Sequence, residues 1–144
     1  MNAWGHARLG TLTTDAFLAA GVALYAREGS KRDGGLVFAN TDATVVAFFC
    51  KWLRTFFEID ETRLRIRVYL HEGLDMDAAE AHWSEVTGVP RAQFRVGYRA
   101  IADPTIRKNK HEFGCVYVVC GCSKTHRQIM GLIRALLSSK VIPG

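Results

Sequence analysis

The stretch FLAAGVALYAREGSK, Phe17 to Lys31, is an alanine-rich apolar run that stops at Arg27-Glu28-Gly29. Thr14 or Asp15 offers an N-cap and Gly29 a stop, so the run is predicted to be a helix ending at about Glu28. Its last turn carries a carboxylate. Unpaired carbonyls make that end of a helix negative, and an acid there is disfavoured by about 0.3–1 kcal/mol. A helix selected for stability alone more often ends in Lys or Arg. Glu28 therefore needs a reason from outside its own helix.

Working outward, SKRDGG reads as a tight turn on Asp33-Gly34, and LVFAN as a short strand. Thr41 or Asp42 caps a second helix to about Phe57, with Val45, Phe49, Leu53 and Phe56 at helical spacing. TRLRIRVYLH is the clearest strand. Asp75 caps a helix that runs to Thr87 and stops at Gly88. QFRVGYRAI reads as a strand, Asp103 to Phe113 as a basic loop, and GCVYVVCGC as a buried strand. Ser123 opens a last helix whose Ile129, Ile133, Leu136 and Leu137 make an apolar face. Residues 1–12 carry no strong pattern and are expected to be flexible or irregular. Helices and strands mix without regular βαβ units, so the expected class is α+β with a largely antiparallel sheet in one domain over 1–144.

Composition narrows the function classes. The chain has 144 residues, 49% hydrophobic and 23% charged, which suits one ordinary globular core. No apolar run reaches the length of a membrane span. The N-terminus lacks a secretion-signal pattern and the four cysteines are unevenly spaced, so an intracellular setting with reduced thiols and no membrane partner is expected. The net charge of +5 is unevenly placed. Val68 to Pro90 holds Glu72, Asp75, Asp77, Glu80 and Glu85 and no Lys or Arg. Arg91 to Lys110 holds Arg91, Arg95, Arg99, Arg107, Lys108 and Lys110 against one acid, Asp103. Such asymmetry is expected where one face meets phosphates and another meets solvent.

Strand alternation sharpens this. Arg63, Arg65, Arg67, Tyr69 and His71 share one face of their strand, and Leu64, Ile66, Val68 and Leu70 share the other. The guanidiniums then recur at about 7 Å. Gln93, Arg95 and Arg99 repeat the pattern, with Phe94, Val96 and Tyr98 opposite. A merely solvated face interleaves both signs, because like charges repel along and across strands. No acid falls on either basic face. Arginine also suits bidentate contact with guanine edges and phosphates. The prediction is nucleic-acid binding by the sheet, with double-stranded DNA the first candidate and RNA the second, and with Arg107, Lys108 and Lys110 reaching phosphates from one end.

Against that background GVALYAREGSK resembles the signature helix of the LAGLIDADG homing endonucleases. Ala23 stands at the motif's glycine, Glu28 at its final acid and Gly29 at its last glycine. LVFANTDATVVAFFCKWL is similar to the family's strand, Asn-x-Asp and apolar helix. The resemblance implies an α+β, LAGLIDADG-like αββαββα core with a mostly antiparallel, saddle-shaped sheet and helices on one face. It implies that a one-motif chain works as a homodimer, its signature helices meeting at a two-fold axis through Ala19, Ala20, Ala23, Ala26 and Arg27. Glu28 of each subunit would then hold Mg²⁺ or Mn²⁺ as metal ligand and catalytic group, with Lys110 or Lys108 stabilising developing charge. Lys31, Arg32, Arg63, Arg65, Arg67, Tyr69, Gln93, Arg95, Arg99, Arg107, Lys108 and Lys110 would contact DNA at a near-palindromic site. The expected function is site-specific DNA hydrolysis; the alternative is a catalytically inactive DNA- or RNA-binding regulator or splicing cofactor. Arg27 stands where the family prefers a small residue, so it must swing outward or neutralise the paired acids.

Cys115, Cys120, Cys122 and His126 have the spacing C-x4-C-x-C-x3-H, which matches no common zinc site. Buried thiols are the expectation there. His71-Glu72 is expected to be a strand-end pair, and His82 and Trp83 to serve packing and surface.

Overall fold

The computed structural model describes residues 2–101 and 111–142. In chain order its elements are α1 (Asn2–Leu9), α2 (Thr14–Glu28), β1 (Leu36–Asn40), α3 (Ala43–Phe56), β2 (Leu64–His71), α4 (Met76–Thr87), β3 (Tyr98–Ala100), β4 (Cys115–Cys120) and α5 (Ser123–Ser138). Two 3₁₀ turns, Glu61–Arg63 and Arg91–Gln93, precede β2 and β3. The class is α+β.

Local chemistry accounts for the helix limits. The Thr13 hydroxyl accepts from the Ala16 amide, one residue earlier than the expected cap. Asp42 accepts from the Thr44 and Val45 amides, and Asp75 from Ala78. Gly88 ends α4 with φ of 72°, a conformation open to glycine but strained for other residues.

The sheet runs β1-β4-β2-β3. β4 pairs antiparallel with both β1 and β2, whereas β2 and β3 are parallel. Alternate residues of the three longer strands face the helices: Leu36 and Phe38, Leu64 to Leu70 in steps of two, and Val116, Val118 and Cys120. α2, α3, α4 and α5 cover that side. Phe38 stacks on Phe49 at 4.0 Å between centroids, joining β1 to α3. α2 crosses α3 where Gly21 lies against the Trp52 indole, whose Nε1–H donates to the Leu18 carbonyl at 3.1 Å. Arg54 of α3 forks onto Glu61 and also donates to the Thr87 carbonyl, tying α3 to the end of α4. Glu61 thereby raises the Arg54 pKa.

The sheet is mostly antiparallel, as expected; its one parallel pair is β2 with β3, because β2, α4 and β3 form a crossover unit, which returns its second strand parallel to the first. Four expectations are corrected. One strand, not two, separates α2 from α3, and α4 separates β2 from β3, so the element order departs from αββαββα. Residues 2–9 form a helix within the segment expected to be irregular, although none of its residues is buried. QFRVGYRAI is a 3₁₀ turn, an isolated bridge from Phe94 to Ile66 and a three-residue strand. On α5, Leu137 is exposed, while Ile129 and Ile133 are buried. No helix among the described residues is long and apolar enough to cross a membrane.

Candidate nucleic-acid interface

The strand pairings set the composition of the sheet's outer face. Arg65 lies opposite Val119, Arg67 opposite Tyr117, and Tyr69 opposite Cys115. Val119 and Tyr117 in turn face Val37 and Ala39. On the other side of β2, Tyr98 pairs with Tyr69 and Ala100 with His71. These outward positions are half-buried or exposed and carry no acid. Tyr69 sits at the centre of three rings, with Tyr98 and Tyr117 each at 4.7 Å between centroids. Burial is the main cause raising the Tyr117 pKa, and the neighbouring Cys115 and Tyr69 add to it.

Two glycines let the strands approach this centre. A Cβ on Gly114, whose φ is +73°, would run into the Tyr69 carbonyl oxygen. A Cβ on Gly97 would lie 3.2 Å from the Val68 oxygen and press on Met76.

The arginines divide by role. Arg65 Nη1 donates to the Thr62 and Leu64 carbonyls, which ties one end of its guanidinium to the start of β2 and leaves Nε and Nη2 as further donors. The Nε of Arg67 is buried and has no partner among the described residues. A donor in that position favours any acceptor brought to it. Arg63 belongs to the 3₁₀ turn, not the strand, and donates to the Gly121 carbonyl at 2.9 Å. Arg95 is exposed beyond the bridge to Ile66.

Two predicted contact residues bond to backbone carbonyls. Gln93 donates through Nε2 to the Glu61 and Leu64 carbonyls, which anchors the 3₁₀ turn to the start of β2. Arg99 pairs with Leu70, an inward position, and donates to the His71 and Leu74 carbonyls. Tyr98 is the outward residue instead. Alternation counted from Gln93 assumed one unbroken strand, but Phe94 makes only an isolated bridge to Ile66 and residues 95–97 lie outside any strand, so the phase is reset before Tyr98. Tyr117 was missed because CVYVVC reads as wholly buried. Its period-two burial, with Tyr117 between Val116 and Val118, was the available signal.

Glu28 borders this face. Gly29 bridges antiparallel to Phe38, and the Ser30 amide donates to Val37. That register carries Glu28 toward Ala39, an outward position. The Cys115 pKa is raised chiefly by burial and next by the charge of Glu28. Gly29 is required because a Cβ would enter the Tyr25 ring. The Tyr25 hydroxyl and His126 Nε2 both donate to the Ser30 carbonyl, each at 2.9 Å, and this holds the turn that follows Glu28. Lys31 Nζ donates to the Gly29 carbonyl at 2.8 Å, and Arg32 is exposed in the same turn.

On α2, Ala20, Ala23 and Arg27 are exposed and fall with Ala16 on one stripe, spaced i, i+4, i+7 and i+11. Ala19 and Ala26 are half-buried, and Ala26 packs on the core. Arg107, Lys108 and Lys110 lie outside the described residues. Part of the acidic stretch is neutralised internally, since Arg91 bridges Asp77 at 2.8 Å and Glu80 at 3.2 Å. His82 stacks on Phe113 at 4.1 Å, and Trp83 Nε1 donates to the Phe113 carbonyl.

The sulfur groups point apart. Cys120 faces the core and Cys115 the outer face. Cys122 is not in the strand but caps α5, where its hydrogen bond with Thr125 lowers its pKa. Burial pushes the Cys50 thiol up to about 11. No group of three His, Cys, Asp or Glu able to hold a metal occurs among the described residues. No protein-family model matches the chain, and no curated protein matches it.

Proposed function

We propose that the chain binds duplex DNA through the outer face of its sheet and, as a two-fold dimer, hydrolyses phosphodiester bonds at a near-palindromic site, in the manner of single-motif LAGLIDADG homing endonucleases. The observation that carries this reading is the Gly29–Phe38 bridge, whose register sets Glu28 beside Ala39 at the edge of an outer face bearing Arg65 and Arg67. The topology can be reconciled with an αββαββα core. The Gly29–Phe38 bridge then stands for a very short first strand, and the segment from Glu72 to Ala100 is an insertion between β2 and β4.

In the proposed dimer the exposed Ala16, Ala20 and Ala23 of α2 face their symmetry mates, since small side chains allow close helix approach. This brings two Glu28 carboxylates together. One hard oxygen donor per chain suits Mg²⁺, which is commonly held by one or two carboxylates together with substrate phosphates. Bound there, Mg²⁺ would supply charge neutralisation at the scissile phosphate. The residues of the chain do the rest. Arg65 and Arg67 hold and orient the duplex, Tyr25 and His126 keep the turn after Glu28 fixed, and Lys108 or Lys110 offsets developing charge. Arg27 supports a second reading, DNA or RNA binding without cleavage, because it extends the exposed alanine stripe and would lie beside the paired acids.

A randomised duplex library, incubated with and without Mg²⁺ and sequenced in both bound and cut fractions, tests the proposal. The expected result is enrichment of a near-palindrome, cleaved only with metal. Arg67→Ala should weaken the selected site by about 1–3 kcal/mol and relax one position in each half-site. Sedimentation should give two chains per duplex; a single chain per duplex would remove the dimer. Enrichment of no duplex at all would remove the DNA interface.

A further inference from the structure

We propose that Tyr98, Tyr69 and Tyr117 form a stacking platform for unpaired nucleotides, so that the outer face takes a strand whose bases have left the duplex. This rests on the outer face being a nucleic-acid interface and names the form of the ligand at its centre.

Reading base edges in a groove needs polar side chains in register with the bases. Half of this face offers little, because the outward positions of β1 and β4 are Val37, Ala39, Cys115, Tyr117 and Val119, of which only the Tyr117 hydroxyl is a strong polar group. What they offer is a low apolar surface around three rings. Sheet aromatics stack two or three bases in single-strand-binding domains, since every base has a π-face. In a closed duplex those faces are covered by neighbouring base pairs, so the platform can be used only by an unpaired strand.

Cross-strand packing explains why the rings meet. It does not explain why the outermost is left open: Tyr98 is 53% exposed on a strand of three residues, with its ring 4.7 Å from Tyr69. Phosphate partners are adjacent. Arg67 lies across from Tyr117 and two residues from Tyr69, with a buried Nε that has no partner among the described residues. Arg65 follows on the same face. Bases on the rings and phosphates toward Arg65 and Arg67 fit a strand crossing β3, β2 and β4.

Fluorescein-labelled oligonucleotides of about 12 nucleotides, within the range of known single-strand sites, serve as probes. Anisotropy is measured with single-stranded DNA, single-stranded RNA and duplex DNA, and a 2-aminopurine base reports stacking by quenching. Wild type should bind unpaired strands and quench the probe, the two single-stranded arms showing which sugar is preferred. Tyr98→Ala should lower single-strand affinity roughly 5- to 150-fold and abolish quenching. Tyr98→Leu should lose as much, Tyr98→Phe should keep both, and duplex affinity should fall much less than single-strand affinity. Tyr98 is exposed, so thermal melts of the variants should match wild type. A Tyr98→Leu variant equal to wild type would overturn the platform, as would single-strand and duplex affinities falling together. A wild type that binds duplex but ignores unpaired strands also overturns it and leaves the duplex reading intact. Binding to no nucleic acid of any kind overturns both.

Discussion

Glu28→Gln lowers metal-dependent cleavage of the selected duplex by more than about 100-fold, beyond what changes around a metal's outer shell usually cost, while duplex binding without metal holds or improves. Gln keeps the shape of the side chain and its place at the end of α2, but not the ligand charge. Glu28 follows in register beside Ala39, at the edge of an arginine-bearing face, and in the proposed complex its carboxylate would sit close to phosphates, so removing its charge removes a repulsion from the DNA. Plasmid nicking and linearisation in Mg²⁺ and Mn²⁺, with wild type and variant compared at saturating protein, is the measurement. Cleavage by the variant at the wild-type rate would end the assignment of Glu28 as metal ligand. A wild type that binds the site but never cuts it leaves the binding reading that Arg27 supports.

Gly21→Ala destabilises the fold by about 3 kcal/mol, at the upper end for overpacking, and lowers Tm by roughly 10 °C. Two effects oppose each other. In an exposed helix interior this substitution would gain about 1 kcal/mol of helix propensity. Here the added Cβ falls inside the Trp52 indole. The indole cannot easily move, because its Nε1–H is held by the Leu18 carbonyl and its ring is packed by Phe49, Phe56 and Phe57. α2 and α3 must then separate. Urea or thermal unfolding by circular dichroism decides the matter, and a variant as stable as wild type or more so would show that the contact is looser than drawn.

Helices α2 to α5 and the two main strands were legible because each carries a local cause. Asp42 and Asp75 cap their helices through their own carboxylates, and Gly88 ends α4 in a left-handed conformation. Leu64 to His71 alternates strictly between buried and half-buried positions, as period-two patterning requires. The Arg65, Arg67 and Tyr69 face followed from that alternation alone. Glu28 also stood out locally, as an acid at the wrong end of a helix.

What failed depends on partners remote in sequence. Hydrophobic patterning is nearly blind to strand direction, so the parallel pairing of β3 appeared only once α4 was seen to cross between it and β2. The phase of Tyr98 and Arg99 was lost across residues 95–97, where the chain leaves the strand pattern between the Phe94–Ile66 bridge and β3. The helical state of residues 2–9 had no signal to find, because that helix buries nothing.

By itself the sequence determined the α+β class, the end of α2, the limits of α3 and α4, the inward and outward residues of β2, and the isolation of Glu28 at a helix end. These rest on hydrogen bonds and side-chain periods that span a few residues. Only the tertiary structure decided the sheet order, the engagement of Gln93 and Arg99 with backbone carbonyls, and the meeting of Tyr98, Tyr69 and Tyr117 on one face. Those depend on which strands pair and in what register, and a register is set by the packing of the whole core, which no local stretch contains.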